Sequence, residues 1–127
     1  YHPVFLSTRS ENAQITIGDD CGITGGSIAA ADQITIGDRV LIGGNCLIAD
    51  TDFHPLDKGV RVKDPKRISS RPVSIGDDVF IGAQSIILKG CSIGAGSIIG
   101  AGSVVSGEIP PNVVAAGNPA VVIRELE

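Results

Sequence analysis

His54 is the side chain in this sequence best suited to proton transfer. It is one of two histidines and lies in the segment Asp52-Phe53-His54-Pro55-Leu56-Asp57. Imidazole has an ordinary pKa of about 6.5, so it can accept a proton at neutral pH. We predict that His54 is a general base. The alternative is a loop histidine hydrogen-bonded to a neighbouring carboxylate for structural reasons.

A cluster of cations follows His54 along the chain. It holds six of the ten lysine and arginine residues: Lys58, Arg61, Lys63, Lys66, Arg67 and Arg71. Such a cluster could bind a phosphate or another anionic group. It could equally form a solvated flap in which Asp57 and Asp64 are the ionic partners.

His54 and the cation cluster lie where a six-residue repeat of aliphatic side chains is interrupted. An aliphatic residue returns in unbroken steps at Ile75, Ile81, Ile87, Ile93, Ile99 and Val105. Earlier runs place Ile17 and Ile23, then Ile36, Ile42 and Ile48, with one extra residue near Asp32. Glycine and polar turn residues follow most of these anchors. Three units closing one triangular coil would stack each anchor on its counterpart about 18 residues away, so that Ile81 lies on Ile99.

A second inward position lies four residues after each anchor. It is filled by small or β-branched residues: Cys21, Ser27, Val40, Cys46, Val79, Ser85, Cys91, Ser97 and Ser103. All three cysteines occupy this position, so we interpret them as core fillers rather than metal ligands or nucleophiles. A sandwich of short strands is the alternative fold, but it would show a period of two.

The repeat divides the chain into segments. Residues 1–14 form a lead-in that we expect to be truncated, because the chain begins Tyr1-His2-Pro3 without methionine. Residues 15–115 form the solenoid, with a protruding loop at 50–72, and residues 116–127 form a tail. An unpaired inward carboxylate would be costly, so we expect the loop to begin before Asp52.

Composition narrows the class of protein. The chain is 43% hydrophobic but only 3% aromatic, so its core must be built from small aliphatic side chains. Its net charge of −4 argues against a nucleic-acid binder, which needs clustered cations. Apolar stretches fall well short of the roughly 20 residues of a membrane-spanning helix. We expect a cytoplasmic protein that binds neither nucleic acid nor membrane.

Three motifs resemble the hexapeptide-repeat acyltransferases, in particular the galactoside and maltose O-acetyltransferase branch. They are the His54-Pro55 segment, the stretch Pro72-Val73-Ser74-Ile75-Gly76-Asp77-Asp78-Val79-Phe80-Ile81-Gly82, and the tail from Ile99 through Gly117-Asn118-Pro119. The resemblance implies an all-β fold, a left-handed parallel β-helix assembled as a homotrimer with active sites between subunits. It also implies acetyl-CoA as co-substrate, no metal, and a small-molecule or glycan acceptor.

The resemblance also assigns roles to individual residues. His54 would take the proton of an acceptor hydroxyl as it attacks the thioester, and the Ala83 backbone N–H would stabilise the oxyanion. Ala83 and Ala101 would line the pantetheine groove. The further coenzyme contacts would be Ser106, Gly107 and Arg124, where Gly107 replaces a lysine of the family. Asp32 and Phe80 would contact the acceptor.

Two other functions use the same solenoid. A γ-carbonic-anhydrase-like metalloenzyme would need three histidines around zinc, whereas this chain has only His2 and His54. A non-enzymatic scaffold or binding module would keep the repeat without needing the His-Pro loop. Acetyl transfer is the function that the motifs favour.

Overall fold

The computed structural model describes residues 3–127, and this part of the chain is a solenoid of three parallel sheets. Sheet A contains β1 (Val4–Thr8), β4 (Gly26–Ala30), β7 (Cys46–Ala49), β10 (Ile86–Ile87) and β13 (Val104–Val105). Sheet B contains β2 (Gln14–Ile17), β5 (Gln33–Ile36), β8 (Val73–Ile75), β11 (Ser92–Ile93) and β14 (Glu108–Ile109). Sheet C contains β3 (Gly22–Ile23), β6 (Leu41–Ile42), β9 (Phe80–Ile81), β12 (Ile98–Ile99), β15 (Val113–Gly117) and β16 (Ala120–Glu125).

Each coil passes through sheets B, C and A in turn, which confirms the predicted parallel β-helix. Ile81 pairs with Ile99 as the period of six predicts. Ile36 pairs with Ile75 across 39 positions, 21 more than the 18 of a regular coil, because the loop leaves the solenoid between them. A single 3-10 turn, Pro65–Arg67, lies in that loop. Among the strands of residues 3–127, only β15 and β16 pair in the antiparallel direction.

The predicted shift in the repeat is present, but it changes one inward residue. Ile17 pairs with Ile36, 19 positions away, so one residue has been added to that coil. In β4 the chain is one residue ahead of the expected register. Ile28 pairs with Ile48 inside the coil, and Ser27 faces outward beside Leu47. The prediction of an inward Ser27 was therefore wrong.

The core is a column of aliphatic side chains. Its largest fully buried members are Ile34, Ile36, Ile48, Ile75, Ile81, Ile87, Ile93, Ile99, Val40, Val73, Val79 and Val105. Cys46 and Cys91 are 3% and 1% exposed, which confirms them as core fillers, and Cys21 is half-buried against the same cluster. Their thiols contact main-chain carbonyls, as the buried hydroxyl of Ser85 does.

Three corners join the sheets, and we name each by the sheets it connects. The AB corner carries the loop 50–72, and the CA corner carries the turns after β6, β9 and β12. Within residues 3–127 no helix is long and apolar enough to cross a membrane.

The outer surfaces of the three sheets differ in character. Sheet B presents polar side chains: Thr16, Thr35, Ser74, Ser92 and Glu108. Sheet A presents Leu47, Ile86 and Val104, and sheet C presents Leu41, Phe80, Ile98 and Val114. Two faces of the prism are therefore apolar and one is polar.

Candidate functional site

The loop that carries His54 leaves the AB corner beside a buried carboxylate. Asp50 follows the last residue of β7 and has no exposed surface. Its two oxygens accept hydrogen bonds from the backbone N–H groups of Ala31, at 2.7 Å, and Asp32, at 2.8 Å. This bond pair holds the turn that contains the extra residue of the repeat. The sequence interpretation concentrated on Asp52 and missed Asp50.

The base of the loop is closed by contacts between its two ends. Thr51 and Ser70 form an antiparallel bridge, and the N–H of Arg71 donates to the carbonyl of Asp50 at 2.9 Å. The Asp52 carboxylate lies outside the core and pairs with the ammonium of Lys89 at 2.6 Å. Both side chains are about one-fifth to one-quarter exposed, so this pair is less screened by solvent than a surface pair.

His54 is an exposed residue of this loop. It lines a shallow cleft of about 320 Å³ with Pro55, Arg61 and other loop residues. Arg61 holds the turn around the histidine, because its guanidinium donates to the carbonyls of Pro55 and Leu56. An exposed imidazole beside a cleft can exchange a proton with a bound hydroxyl.

The loop cations have mixed surroundings. Arg67 lies 4.0 Å from Asp57, and both side chains are more than half exposed. Asp64 accepts from the N–H of Lys66 and so caps the 3-10 turn. Asp57 is therefore an ionic partner of the cluster, as the flap alternative expects, whereas Asp64 forms no ion pair within residues 3–127.

Ala83 and Ala101 lie one above the other at the CA corner. Their turns are joined by a hydrogen bond of 2.9 Å from the N–H of Gly102 to the carbonyl of Ala83. Both alanines are exposed, and within residues 3–127 the Ala83 N–H has no hydrogen-bond acceptor. A Cβ added to Gly43 would lie 2.6 Å from the Ala83 nitrogen, so glycine there keeps the corner compact.

Phe80 and Arg124 lie on the outer face of sheet C, next to that corner. Register places Phe80, Ile98, Val114 and Arg124 in one column across β9, β12, β15 and β16. Phe80 is 45% exposed, and Arg124 is exposed as well. This column supplies an apolar wall that ends in a cation.

Ser106 and Gly107 lie at the AB corner, in the turn two coils after the loop. They line a cleft of about 330 Å³ together with Arg71, Lys89 and four further residues. The lysine that the family has at the position of Gly107 is missing, but two cations from other turns face the same cleft. Lys89 was missed in the sequence, because nothing in the repeat distinguishes it from an ordinary corner residue.

Asp32 also lies at the AB corner, in the turn one coil before the loop. Its carboxylate is exposed, and its neighbour Ala31 lines a cleft of about 570 Å³, which we call the large cleft. The predicted residues thus form two groups separated by sheet A. His54, Asp32, Ser106 and Gly107 are at or beside the AB corner, and Ala83, Ala101, Phe80 and Arg124 are at or beside the CA corner.

Known proteins identify the family to which this chain belongs. Residues 72–107 match the family model "Bacterial transferase hexapeptide (six repeats)", and residues 33–62 match "Hexapeptide repeat of succinyl-transferase". The solved structure of a hexapeptide-repeat acetyltransferase from Vibrio cholerae, complexed with acetyl coenzyme A, is 32% identical with a TM-score of 0.83. That match covers 99% of this chain and 69% of that one. The chain belongs to the hexapeptide-repeat acetyltransferase family.

Two further members of this family are similar to the chain. A galactoside acetyltransferase solved in complex with coenzyme A is 40% identical, with a TM-score of 0.81, and the match covers 96% of this chain and 60% of that one. The galactoside O-acetyltransferase of Escherichia coli is 47% identical over 93 residues, which are 73% of this chain and 44% of that protein. The chain therefore spans less than half the length of this curated relative.

A metal centre was the alternative use of the histidines. Among residues 3–127 there is no group of three or more histidine, cysteine, aspartate or glutamate side chains that could hold a metal ion. His2, which the metalloenzyme alternative required, lies outside the described residues.

Proposed function

We propose that this chain is an acetyl-CoA-dependent O-acetyltransferase that acetylates a hydroxyl of a sugar or glycan precursor, with His54 as the general base. The observation that carries the proposal is the exposed imidazole of His54 on a loop whose base is closed by backbone and ionic contacts. The similarity to galactoside O-acetyltransferases supports the reaction type and the sugar acceptor.

The proposed chemistry follows from the two groups of residues. His54 takes the proton of the acceptor hydroxyl, whose oxygen then forms a bond to the thioester carbonyl carbon. The Ala83 N–H donates a hydrogen bond to the oxyanion of the tetrahedral intermediate. The carbon–sulfur bond then breaks, and the proton held by His54 passes to the departing thiolate, giving the acetyl ester and free coenzyme A.

Coenzyme A would lie along the small residues of the corners. Ala83 and Ala101 leave room for pantetheine at the CA corner, and Arg124 ends the neighbouring column with a cation. At the AB corner the Ser106 hydroxyl remains available. We propose that Arg71 supplies the positive charge that a lysine at the position of Gly107 supplies in the family. Arg71 lines the same cleft and has no ion-pair partner within residues 3–127.

The separation of His54 from Ala83 leads us to propose a homotrimer. Three chains that turn the apolar face of sheet A toward a common axis would place the AB corner of each beside the CA corner of the next. Closed rings of this kind use two different surfaces of each chain. The site would then combine His54 of one subunit with the alanine corner of its neighbour, and both would be required for activity.

Replacing His54 by alanine tests the mechanism. We expect turnover to fall by about two to four orders of magnitude, because a positioned general base contributes about that much. Coenzyme A binding should be retained, and coenzyme A at 100 times its dissociation constant should stabilise the protein by about 2.7 kcal/mol. Normal acetylation by His54→Ala would refute the mechanism, and absence of any coenzyme A stabilisation would favour a scaffold.

Mixed trimers test the shared site. Ala101→Trp should block the pantetheine groove, so neither His54→Ala nor Ala101→Trp alone should be active. When the two variants are co-expressed, an interface between an unmodified His54 and an unmodified Ala101 should recover part of the activity. No recovery in trimers shown by mass measurement to contain both variants would place the whole site within one chain.

A further inference from the structure

The large cleft has the composition of a site for a hydroxylated anion. It lies between the end of β1, the turn at Ala31 and the underside of the loop. Arg9 is the charged side chain that lines it, and five hydroxyl-bearing residues share the lining: Ser7, Thr8, Ser10, Thr51 and Ser70. No carboxylate lines it. Its volume of about 570 Å³ is within the usual range of about 300–1,000 Å³ for small-molecule sites.

Arg9 is oriented by an aromatic ring. Its guanidinium carbon lies 5.1 Å from the centroid of Phe53, an arrangement that favours a cation over the ring face. Phe53 has a φ of 65°, in the left-handed region that bulky residues rarely adopt, and its N–H donates to the Thr51 hydroxyl at 3.1 Å. The ring is thus held by the turn just before His54, and the guanidinium is held by the ring.

Within residues 3–127, Arg9 forms no ion pair. The ion pairs of residues 3–127 are Arg39–Asp78, Arg67–Asp57 and Lys89–Asp52. A guanidinium stacked on a ring keeps its N–H edges available, and these match a carboxylate or phosphate in a two-point contact. The loop 50–72 carries six cations and four carboxylates, so its own charge is positive in a chain whose net charge is −4. A locally positive segment of this kind attracts anions.

Some of the hydroxyl groups that line the large cleft form hydrogen bonds within residues 3–127, and others do not. The Ser10 hydroxyl donates to the Ala31 carbonyl at 2.8 Å, and the Thr51 hydroxyl accepts from Phe53. Those of Ser7, Thr8 and Ser70 have no hydrogen-bond partner in the part of the chain that the structure describes. Such hydroxyls can donate to or accept from the hydroxyls of a sugar.

The large cleft adjoins the His54 cleft. Phe53, Pro65 and Ile68 line both clefts, so they form the partition between them. A sugar bound in the large cleft therefore contacts this partition, and His54 lies on the other side of it. An elongated acceptor can extend past the edge of this partition toward the imidazole.

From these observations we infer that the acceptor is an anionic sugar, whose carboxylate or phosphate binds Arg9 and whose hydroxyls meet the serine and threonine side chains of the large cleft. The inference rests on the proposed acetyl transfer and names its substrate class. A neutral galactoside would leave the guanidinium of Arg9 without an anionic partner in the complex.

The test compares matched acceptors with the full chain and acetyl-CoA. The acceptors are methyl glucoside, methyl glucuronide and glucose 6-phosphate, and the readout is kcat/KM from coenzyme A release. We expect at least one anionic sugar to exceed the glucoside by about 10- to 100-fold, the usual effect of a charge-assisted contact. Arg9→Ala should lower kcat/KM for the anionic sugars to about that for the glucoside, and Arg9→Lys should restore the preference in part.

Arg39→Ala is the matched control, because it removes one positive charge at the BC corner, where Arg39 pairs with Asp78. It should leave the preference intact. A higher kcat/KM for the glucuronide than for the phosphate would identify a carboxylate ligand, and the reverse order a phosphate ligand. A wild-type preference for the neutral sugar, or an equal loss with all three acceptors in Arg9→Ala, would overturn the inference and leave the acetyl transfer intact.

Failure of the proposed function gives a different result. In that case none of the acceptors is acetylated and His54→Ala changes nothing. Binding of methyl glucuronide and glucose 6-phosphate, measured by calorimetry without acetyl-CoA, then decides the role of the cleft. Binding of either anion that is lost in Arg9→Ala but kept in Arg39→Ala supports an anion site, and its absence in the wild type rules one out.

Discussion

Replacing Asp50 by alanine should destabilise the protein far more than replacing a surface carboxylate. Asp50 is fully buried and accepts two backbone hydrogen bonds, from Ala31 at 2.7 Å and from Asp32 at 2.8 Å. A buried donor left without an acceptor costs about 1–3 kcal/mol. Two donors set an upper bound of about 6 kcal/mol. Because Asp32 is exposed, water can reach one of them, and we expect a loss of about 2–4 kcal/mol.

Urea unfolding followed by circular dichroism measures this loss, at one protomer concentration for all variants. Asp77→Ala is the control. The Asp77 carboxylate also accepts a backbone hydrogen bond, from the N–H of Asp38 at 2.7 Å, but it does so in solvent. There water can replace the acceptor, so we expect a change below about 1 kcal/mol. If the two variants lose the same stability, burial is not what makes Asp50 important.

Two further predictions concern the core. Ile93→Ala should cost about 2–5 kcal/mol and Ile93→Val about 0.5–1.5 kcal/mol in the same unfolding assay, because Ile93 is fully buried between coils; equal costs would contradict a close-packed column. Burial raises the pKa of the Cys46 and Cys91 thiols. Above about pH 8.5 the unfolded chain therefore loses thiol protons that the folded chain keeps, so the free energy of unfolding should fall as the pH rises. Replacing both cysteines by serine should flatten this dependence, and an unchanged slope would show that other groups cause it.

Periodicity predicted the fold because each coil repeats the same local requirement. An aliphatic side chain must enter the column at every sixth position, and a compact turn must follow it, so the pattern is visible without knowledge of any contact. The pairing of Ile81 with Ile99 follows directly from it. The exception at Ser27 arises where β4 runs one residue ahead, because the strand follows the register of β7 rather than the local count.

The candidate site was predicted only in part. His54 stands out in the sequence because the repeat fails around it, and the alanines of the CA corner were assigned through the resemblance to a family. Asp50, Lys89 and Arg9 were not found. Each acts through a neighbour that lies far away in sequence: Asp50 through the turn at Ala31, Lys89 through Asp52, and Arg9 through Phe53.

The order of residues was enough to predict the coil, most of its inward residues, the position of the loop and the candidate base. These depend on the order of residues within one or two turns of the chain. The folded structure was needed to show that His54 and Ala83 lie at different corners, that the Asp50 side chain is buried, and that Arg9 lines a cleft without a carboxylate. These placements depend on which residues the loop and the coils bring together. The six-residue period carries no information about them, because it is the same whatever those residues are.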